Sequence, residues 1–312
     1  MEATLKVLVT GGAGFIASNL ADRLIADGHK VAIIDNLSTG SKANLNPKAA
    51  FYEMDITDKA LAKVFEKEKP DIVNHHAAQI DVRRSVREPA FDAGVNILGS
   101  INIIENCVKH RVKKMIYISS GGAMYGEPKY VPADENHPVI PLCPYGISKH
   151  TVEHYVELAH ILDGLTYTVL RYANVYGPRQ DPHGEAGVVG IFSENLLNGL
   201  DCTIFGDGSK TRDYVYIDDI VEANVLAMTK GDNEAFNIGR GIETTDFEIF
   251  DNVRKSLGMK VEPKYADKRK GEIDRIALTA AKAKKILGWE PKISIEEGIR
   301  RAAAFYRKKL NK

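Results

Sequence analysis

Short apolar runs alternate with longer amphipathic stretches through the first half of the chain. Runs of strand length, several rich in Val and Ile, stand near residues 6–10, 31–35, 51–54, 71–75, 115–119 and 166–171. Between them, at 14–27, 58–68, 84–110 and 144–162, apolar positions recur at helical spacing. Strand and helix in alternation predict an α/β fold, a doubly wound parallel sheet covered on both faces. The boundary falls at 1–172, followed by a smaller mixed α/β lobe at 173–312, with room for some of its segments to return to the first unit. After Arg171 the pattern becomes loop-rich, and two helices are signalled late: Phe247–Leu257, preceded by Thr245-Asp246 and closed by Gly258, and Ile295–Leu310.

The first strand runs directly into Gly11-Gly-Ala-Gly-Phe-Ile-Ala17 and a helix. As G-x-G-x-x-A, Gly12 serves the tight turn, Gly14 lets a pyrophosphate approach the backbone, and Ala17 allows close helix packing. The helix N-terminus then offers free amide N–H groups to the anion. The second strand ends in Asp35, roughly 20 residues past Gly14, where a carboxylate accepts from ribose hydroxyls and repels a 2′-phosphate. This is a Rossmann-like arrangement that favours NAD over NADP. Asp55 reads equally as an adenine contact or as an exposed turn residue.

Tyr145-Gly-Ile-Ser-Lys149 follows Pro144, which suits a first helical turn, and Ile147, Val152, Val156 and Ala159 continue the helical spacing. Tyr145 and Lys149 therefore share a face. A phenol ionises near pH 10, and a neighbouring ammonium, or more so a cationic cofactor, makes it a usable base. In isolation the same spacing describes a surface Tyr beside a Lys; the dinucleotide signature upstream weighs against that.

Composition narrows the field. The chain has 312 residues, formal net charge +0 and a pI near 7.1, so there is no electrostatic case for nucleic acid or a membrane surface. No apolar run is long enough to span a bilayer, and the first strand starts too early to leave room for a signal peptide, so cytoplasmic residence is expected. Cys107, Cys143 and Cys202 are widely spaced, without a CxxC, and His75-His76 falls on a strand whose neighbours face opposite ways; no disulfide framework or metal is expected.

With Gly11–Ala17, Asp35-Asn-Leu-Ser-Thr-Gly40, Tyr145–Lys149 and Arg171-Tyr-Ala-Asn-Val-Tyr-Gly-Pro178 in order, the chain resembles the extended short-chain dehydrogenase/reductase family, on its nucleotide-sugar epimerase branch. The likeness extends through Thr203–Gly208, Thr211–Tyr214 and Leu287-Gly-Trp289. The resemblance implies an NAD site built from Gly11, Gly12, Gly14, Phe15, Ile16, Asp35, Asn36, Ser38, Thr39, Gly40, Asp55, Ile56, Ala77, Ala78, Gln79, Asn96, Ser119, Tyr145, Lys149, Tyr172 and Ala173. It makes Tyr145 the base and gives Lys149 the nicotinamide ribose. It also implies a UDP-sugar site at Asn174, Thr203, Phe205, Arg212 and Arg269, the two arginines neutralising the pyrophosphate. Phe205 reads equally as plain core.

One departure stands out. The family places a Ser or Thr four residues before the tyrosine of its S-x-x-x-Y-G motif, and here that place is Gly121. Ser120 reaching in, a water, or a weakened site are the options. The neighbouring Gly122, Ala123 and Met124 offer no ionisable group, whereas the resemblance implies an extra acid or base there in dehydratases and decarboxylases. What the family implies is therefore an epimerase that interconverts UDP-galactose and UDP-glucose through a transient 4-keto sugar, NAD being regenerated each cycle. UDP-glucuronate and UDP-N-acetylglucosamine 4-epimerases remain alternatives, with a sugar gate near Arg275–Leu278 and Ile276 as the guess. A non-catalytic NAD or nucleotide-sugar binder, or a dehydrogenase releasing NADH, are the readings from other classes. A homodimer through the helices at 89–110 and 145–162 is expected.

Overall fold

The computed structural model of the chain describes residues 4–182, 187–268 and 273–311. Six strands come from the first half: β1 (Lys6–Thr10), β2 (Lys30–Asp35), β3 (Ala50–Glu53), β4 (Ile72–His75), β5 (Lys114–Ser120) and β6 (Tyr167–Tyr172). Short strands follow at β7 (Asn174–Tyr176), β8 (Thr203–Phe205), β9 (Thr211–Arg212) and β10 (Tyr214–Tyr216), then β11 (Glu234–Ile238), β12 (Thr244–Thr245) and β13 (Lys264–Ala266). The main sheet has seven parallel strands in the order β11-β6-β5-β4-β1-β2-β3. Its seventh strand comes from beyond residue 173 and pairs with β6 from Glu234↔Thr168 to Ile238↔Tyr172.

Alternation along the strands sorts the core by face. Leu8, Ile34, Val73, Met115, Tyr117 and Val169 pack under α2 (Leu61–Glu68) and under α5 (Gly99–Lys109) and α7 (Pro144–Asp163). Val7, Val9, Ile33, Ile116, Ile118 and Leu170 pack under α1 (Phe15–Ala26) and α9 (Ile217–Ala227), and this cluster continues into the second lobe. There α8 (Val188–Leu197), α10 (Asp246–Leu257) and α12 (Ile295–Lys309) meet through Phe192, Phe250 and Ile299. Thr245 caps α10 in a reciprocal box with Glu248, and Gly258 ends it at φ +73.

Two local readings change. The stretch at 84–110 is not one helix: it divides into α3 (Val82–Arg87), α4 (Pro89–Ala93), a π turn at Gly94–Leu98 and α5. Pro89 lacks the N–H needed to continue α3 and starts a new helix instead. On α7, Ile147 is exposed while Val152, Val156 and Ala159 are buried. Among the described residues no helix is long and apolar enough to cross a membrane.

Candidate active site

The strand order reverses between β1 and β4, so a crevice opens at their carboxyl ends. The glycine turn lines it. Gly11 sits at φ +70, and a Cβ there would lie 2.8 Å from Ala77 N; at Gly12 a Cβ would lie 2.6 Å from Ile33 Cγ2. The left-handed turn thus falls at Gly11, and Gly12 is needed for packing, one residue away from the roles the motif suggested. Thr10 Oγ1 accepts from Ala77 N–H at 3.1 Å, drawing the loop after β4, which includes Ala78, against the turn. Gly14 is the extended N-cap of α1 with no side-chain cap, leaving the first-turn amides of Phe15, Ile16 and Ala17 open to an anion.

The Asp35 carboxylate accepts from Ala13 N–H at 2.9 Å and from Leu37 N–H at 2.7 Å, one bond to each oxygen. Further lone pairs remain for ribose hydroxyls. Gly40 closes over it, since a Cβ there would lie 3.0 Å from Asp35 Oδ1, and Ser38 and Thr39 are exposed in the same loop. Asn36 Nδ2 donates to Asp55 Oδ2 at 2.6 Å. Burial pushes the Asp55 carboxyl up, but bonds from Thr57 and Asn36 outweigh it and hold the group below its usual value. Ile56, next along, is buried under Gly99. This turn, open helix end and carboxylate fit a dinucleotide.

Asn96 is buried on the π turn. Its Oδ1 accepts from Gln79 N–H at 2.8 Å and its Nδ2 donates to Gln79 O at 3.0 Å and Asp92 Oδ1 at 3.0 Å. Its amide is committed to shaping the Ala77–Gln79 loop.

Tyr145 stands in the first turn of α7, where Cys143 Sγ accepts from Gly146 N–H at 3.5 Å. A Cβ at Gly146 would lie 2.5 Å from Ala123 O, so only glycine lets α7 press against α6 (Gly121–Met124). That approach brings the half-buried Tyr145 phenol near the Ser120 hydroxyl, which favours the ionised phenol. A Cβ at Gly121 would lie 2.4 Å from Leu278 Cδ1, so the family hydroxyl there would require the Leu278 side chain to shift. Ser119 is buried beside Ser120 at the end of β5.

Burial decides the electrostatics. It pushes the Tyr145 phenol up to about 12, against the effect of the neighbouring Ser120 hydroxyl, with Cys143 and Asp92 adding to the rise. Lys149, 4% exposed, is pulled down to about 7 by burial, against the carboxylates of Glu153 and Asp92. Its ammonium sits 4.6 Å from the Tyr117 ring centre. Desolvation thus decides the state of the phenol, and the expected lowering by Lys149 is not among the effects that act on it.

Tyr172 and Ala173 are buried at the end of β6; Asn224 Nδ2 donates to Tyr172 Oη at 2.5 Å, and Ala173 N–H donates to Ile238 O at 3.0 Å. His75 bonds Thr10 and Ser100, while His76 faces Tyr172, on opposite sides of the sheet. Asn174 Oδ1 lies 3.5 Å from where a Cβ on Gly122 would stand, next to the Tyr145 segment.

The second lobe holds a cavity of about 700 Å³ lined by Gly206, Asp207, Ser209, Lys210, Thr211, Glu243, Lys268, Asp274 and Arg275. Thr203 and Phe205 are not in this lining; β8, which carries them, ends at the residue before Gly206. Lys268 is ion-paired with Asp274, and Arg275 with Glu243 at 2.5 Å. These charged residues carried no sequence signal beyond a suspected gate near Arg275; Ile276 itself is buried. Arg212 Nη1 and Nη2 donate to Thr211 O at 2.8 Å and Ile273 O at 2.9 Å. Arg269 lies outside the described residues.

The model of the NAD dependent epimerase/dehydratase family matches residues 7–239. The chain belongs to this family. A putative UDP-glucose 4-epimerase of Methanocaldococcus jannaschii is 50% identical over 295 residues, covering 95% of this chain and 96% of that protein. The solved UDP-glucose 4-epimerase of Thermotoga maritima, with UDP-glucose, superposes with a TM-score of 0.96 at 51% identity, covering 98% of this chain and 100% of that one. The Thermus thermophilus UDP-glucose 4-epimerase complexed with NAD gives 0.93 at 41% identity, over 97% and 99% of the two chains.

Proposed function

We propose that the chain is an NAD-dependent UDP-sugar 4-epimerase that interconverts UDP-galactose and UDP-glucose. The observation that carries this reading is the Tyr145–Ser120 pair one turn before buried Lys149, beside a segment without any ionisable side chain at 122–124. When bound, NAD supplies a reversible hydride acceptor and a positively charged ring. The turn at Gly11–Gly14, Asp35 and Lys149 hold it, Lys149 at the nicotinamide ribose. Tyr145 Oη takes the proton of the C4 hydroxyl and returns it after the sugar turns over, and Ser120 Oγ–H steadies the phenolate by donating to it. Asn174 meets the hexose. Thr203 and Phe205 lead uridine into the lobe cavity, and Arg212 and Arg269 balance the pyrophosphate.

The test is proton NMR of sugar products after UDP-galactose, UDP-N-acetylgalactosamine and UDP-galacturonate are supplied separately with NAD. UDP-glucose formed without net NADH supports the reading; conversion of only another substrate reassigns the sugar; binding without any product sinks the catalytic proposal. Ser120→Ala is expected to lower kcat about 10- to 100-fold, the worth of a hydrogen bond to a charged group. Unchanged turnover in that variant removes Ser120 from the mechanism.

We also infer a homodimer. Ile147, Leu158, Ile161 and Leu162 are exposed along α7, with Leu98 and Phe91 on the adjoining segment. A second copy covering this apolar face accounts for it, and sedimentation of a monomer at micromolar concentration would contradict it.

A further inference from the structure

Asp92 is a carboxylate at 0% exposure on a short helix, one of the least hospitable places for a charge. Among the described residues its hydrogen-bond donors are all neutral. Gln79 Nε2 at 2.9 Å and Asn96 Nδ2 at 3.0 Å donate to Oδ1, and Ser148 Oγ donates to Oδ2 at 2.6 Å. Those donors belong to two different parts of the site. Gln79 and Asn96 shape the loop after β4, and Ser148 precedes Lys149 on α7.

A buried charge needs compensation beyond neutral hydrogen bonds. The charge nearest in effect is the Lys149 ammonium, which Asp92 and Glu153 both favour. Lys149 is also faced by Tyr117 from β5 and by His75 and His76, which its charge helps to keep neutral. Glu153 differs from Asp92 in one respect: its charge is already committed to Arg171, at 2.6 Å. Asp92 is thus the carboxylate in this group without a cation of its own.

We propose that Asp92 is a positioning residue: through Gln79, Asn96 and Ser148 it ties the Ala77–Gln79 loop to the turn of α7 that carries Lys149, where its negative charge acts on the ammonium. This rests on the reading above that the loop and Lys149 hold NAD. Asp92→Asn separates charge from shape, since an amide oxygen can still accept from Gln79 and Asn96 and the amide nitrogen can donate to Ser148.

The measurement is the pH titration of the Lys149 Cε resonance in the ligand-free full chain, assigned with Lys149→Arg, with hydrogen exchange of the amides at 77–79 alongside. It does not depend on turnover, so it stands or falls apart from the epimerase assay. In Asp92→Asn the midpoint should fall by about half a unit or more, since removing a negative neighbour disfavours the ammonium. Exchange at 77–79 should stay close to wild type in Asp92→Asn and accelerate in Asp92→Ala. Ser148→Ala, which keeps the charge, should leave the midpoint at or above its wild-type value. An unmoved midpoint in Asp92→Asn, or a lowered one in Ser148→Ala, overturns the proposal.

Discussion

Tyr145→Phe is expected to lower kcat for UDP-galactose by about 10²- to 10⁴-fold, the usual worth of a positioned acid/base group. KM should change little, because the phenol acts on a proton in transit while the uridine end supplies most of the grip. Stability should stay within about 1 kcal/mol, since only the hydroxyl and its interaction with the neighbouring Ser120 are lost. The pH dependence follows from burial. The Tyr145 phenol sits near about 12 in the ligand-free chain, so at neutral pH the base form is scarce and wild-type kcat should climb with pH until the apparent pKa of the complex is passed. The rise must vanish with the hydroxyl. Steady-state kinetics from pH 5.5 to 9.5, paired with urea unfolding, separate these effects. Retained activity with a retained pH rise would assign the proton to another group.

That tyrosine was legible because four spaced residues fix its chemistry locally: Pro144, Tyr145, Ser148 and Lys149 all lie in the first two turns of α7. Strands β1 to β6 were legible for the same reason, each being an apolar run bounded by polar loops. β11 was not, because Glu234–Ile238 becomes a strand only by meeting β6, some 66 residues earlier at Glu234↔Thr168. Asp92 lay hidden for a related cause. Its partners Gln79 and Ser148 are 13 and 56 residues away, and nothing in Pro89–Ala93 distinguishes a buried carboxylate from a solvated one. The displaced role of Gly121 depended on Leu278, which touches it only in the folded chain.

Glu153→Ala is expected to destabilise the protein by about 3–5 kcal/mol, the usual result of breaking a buried ion pair from one side. Glu153 and Arg171 are both buried, and Arg171 grips the carboxylate through Nε at 3.1 Å and Nη2 at 2.6 Å. Arg171 Nη1 donates onward to Tyr125 Oη, which donates to Asn237 Oδ1 at 2.8 Å, so one arginine joins α7, β6 and β11. Burial pulls the arginine pKa down, but the bonds and charge of Glu153 outweigh it in the native pair; once Glu153 is removed that support is gone, and a guanidinium, which does not deprotonate in proteins, is left as an orphaned charge. Burial likewise pushes the Glu153 carboxyl up, and the His150 ring 3.6 Å away together with the bonds and charge of Arg171 overcome it, so its folded value lies below its unfolded one. The sign of the linkage follows: this stabilisation is fully present above the unfolded glutamate pKa and drains away as pH falls through the folded value. Replacing both partners, Glu153→Leu with Arg171→Met, should recover much of the loss and flatten the acid limb of the stability curve. Urea unfolding of the three proteins from pH 3 to 8 decides it, because a double variant as unstable as Glu153→Ala would show that packing, not the unpaired guanidinium, carries the cost.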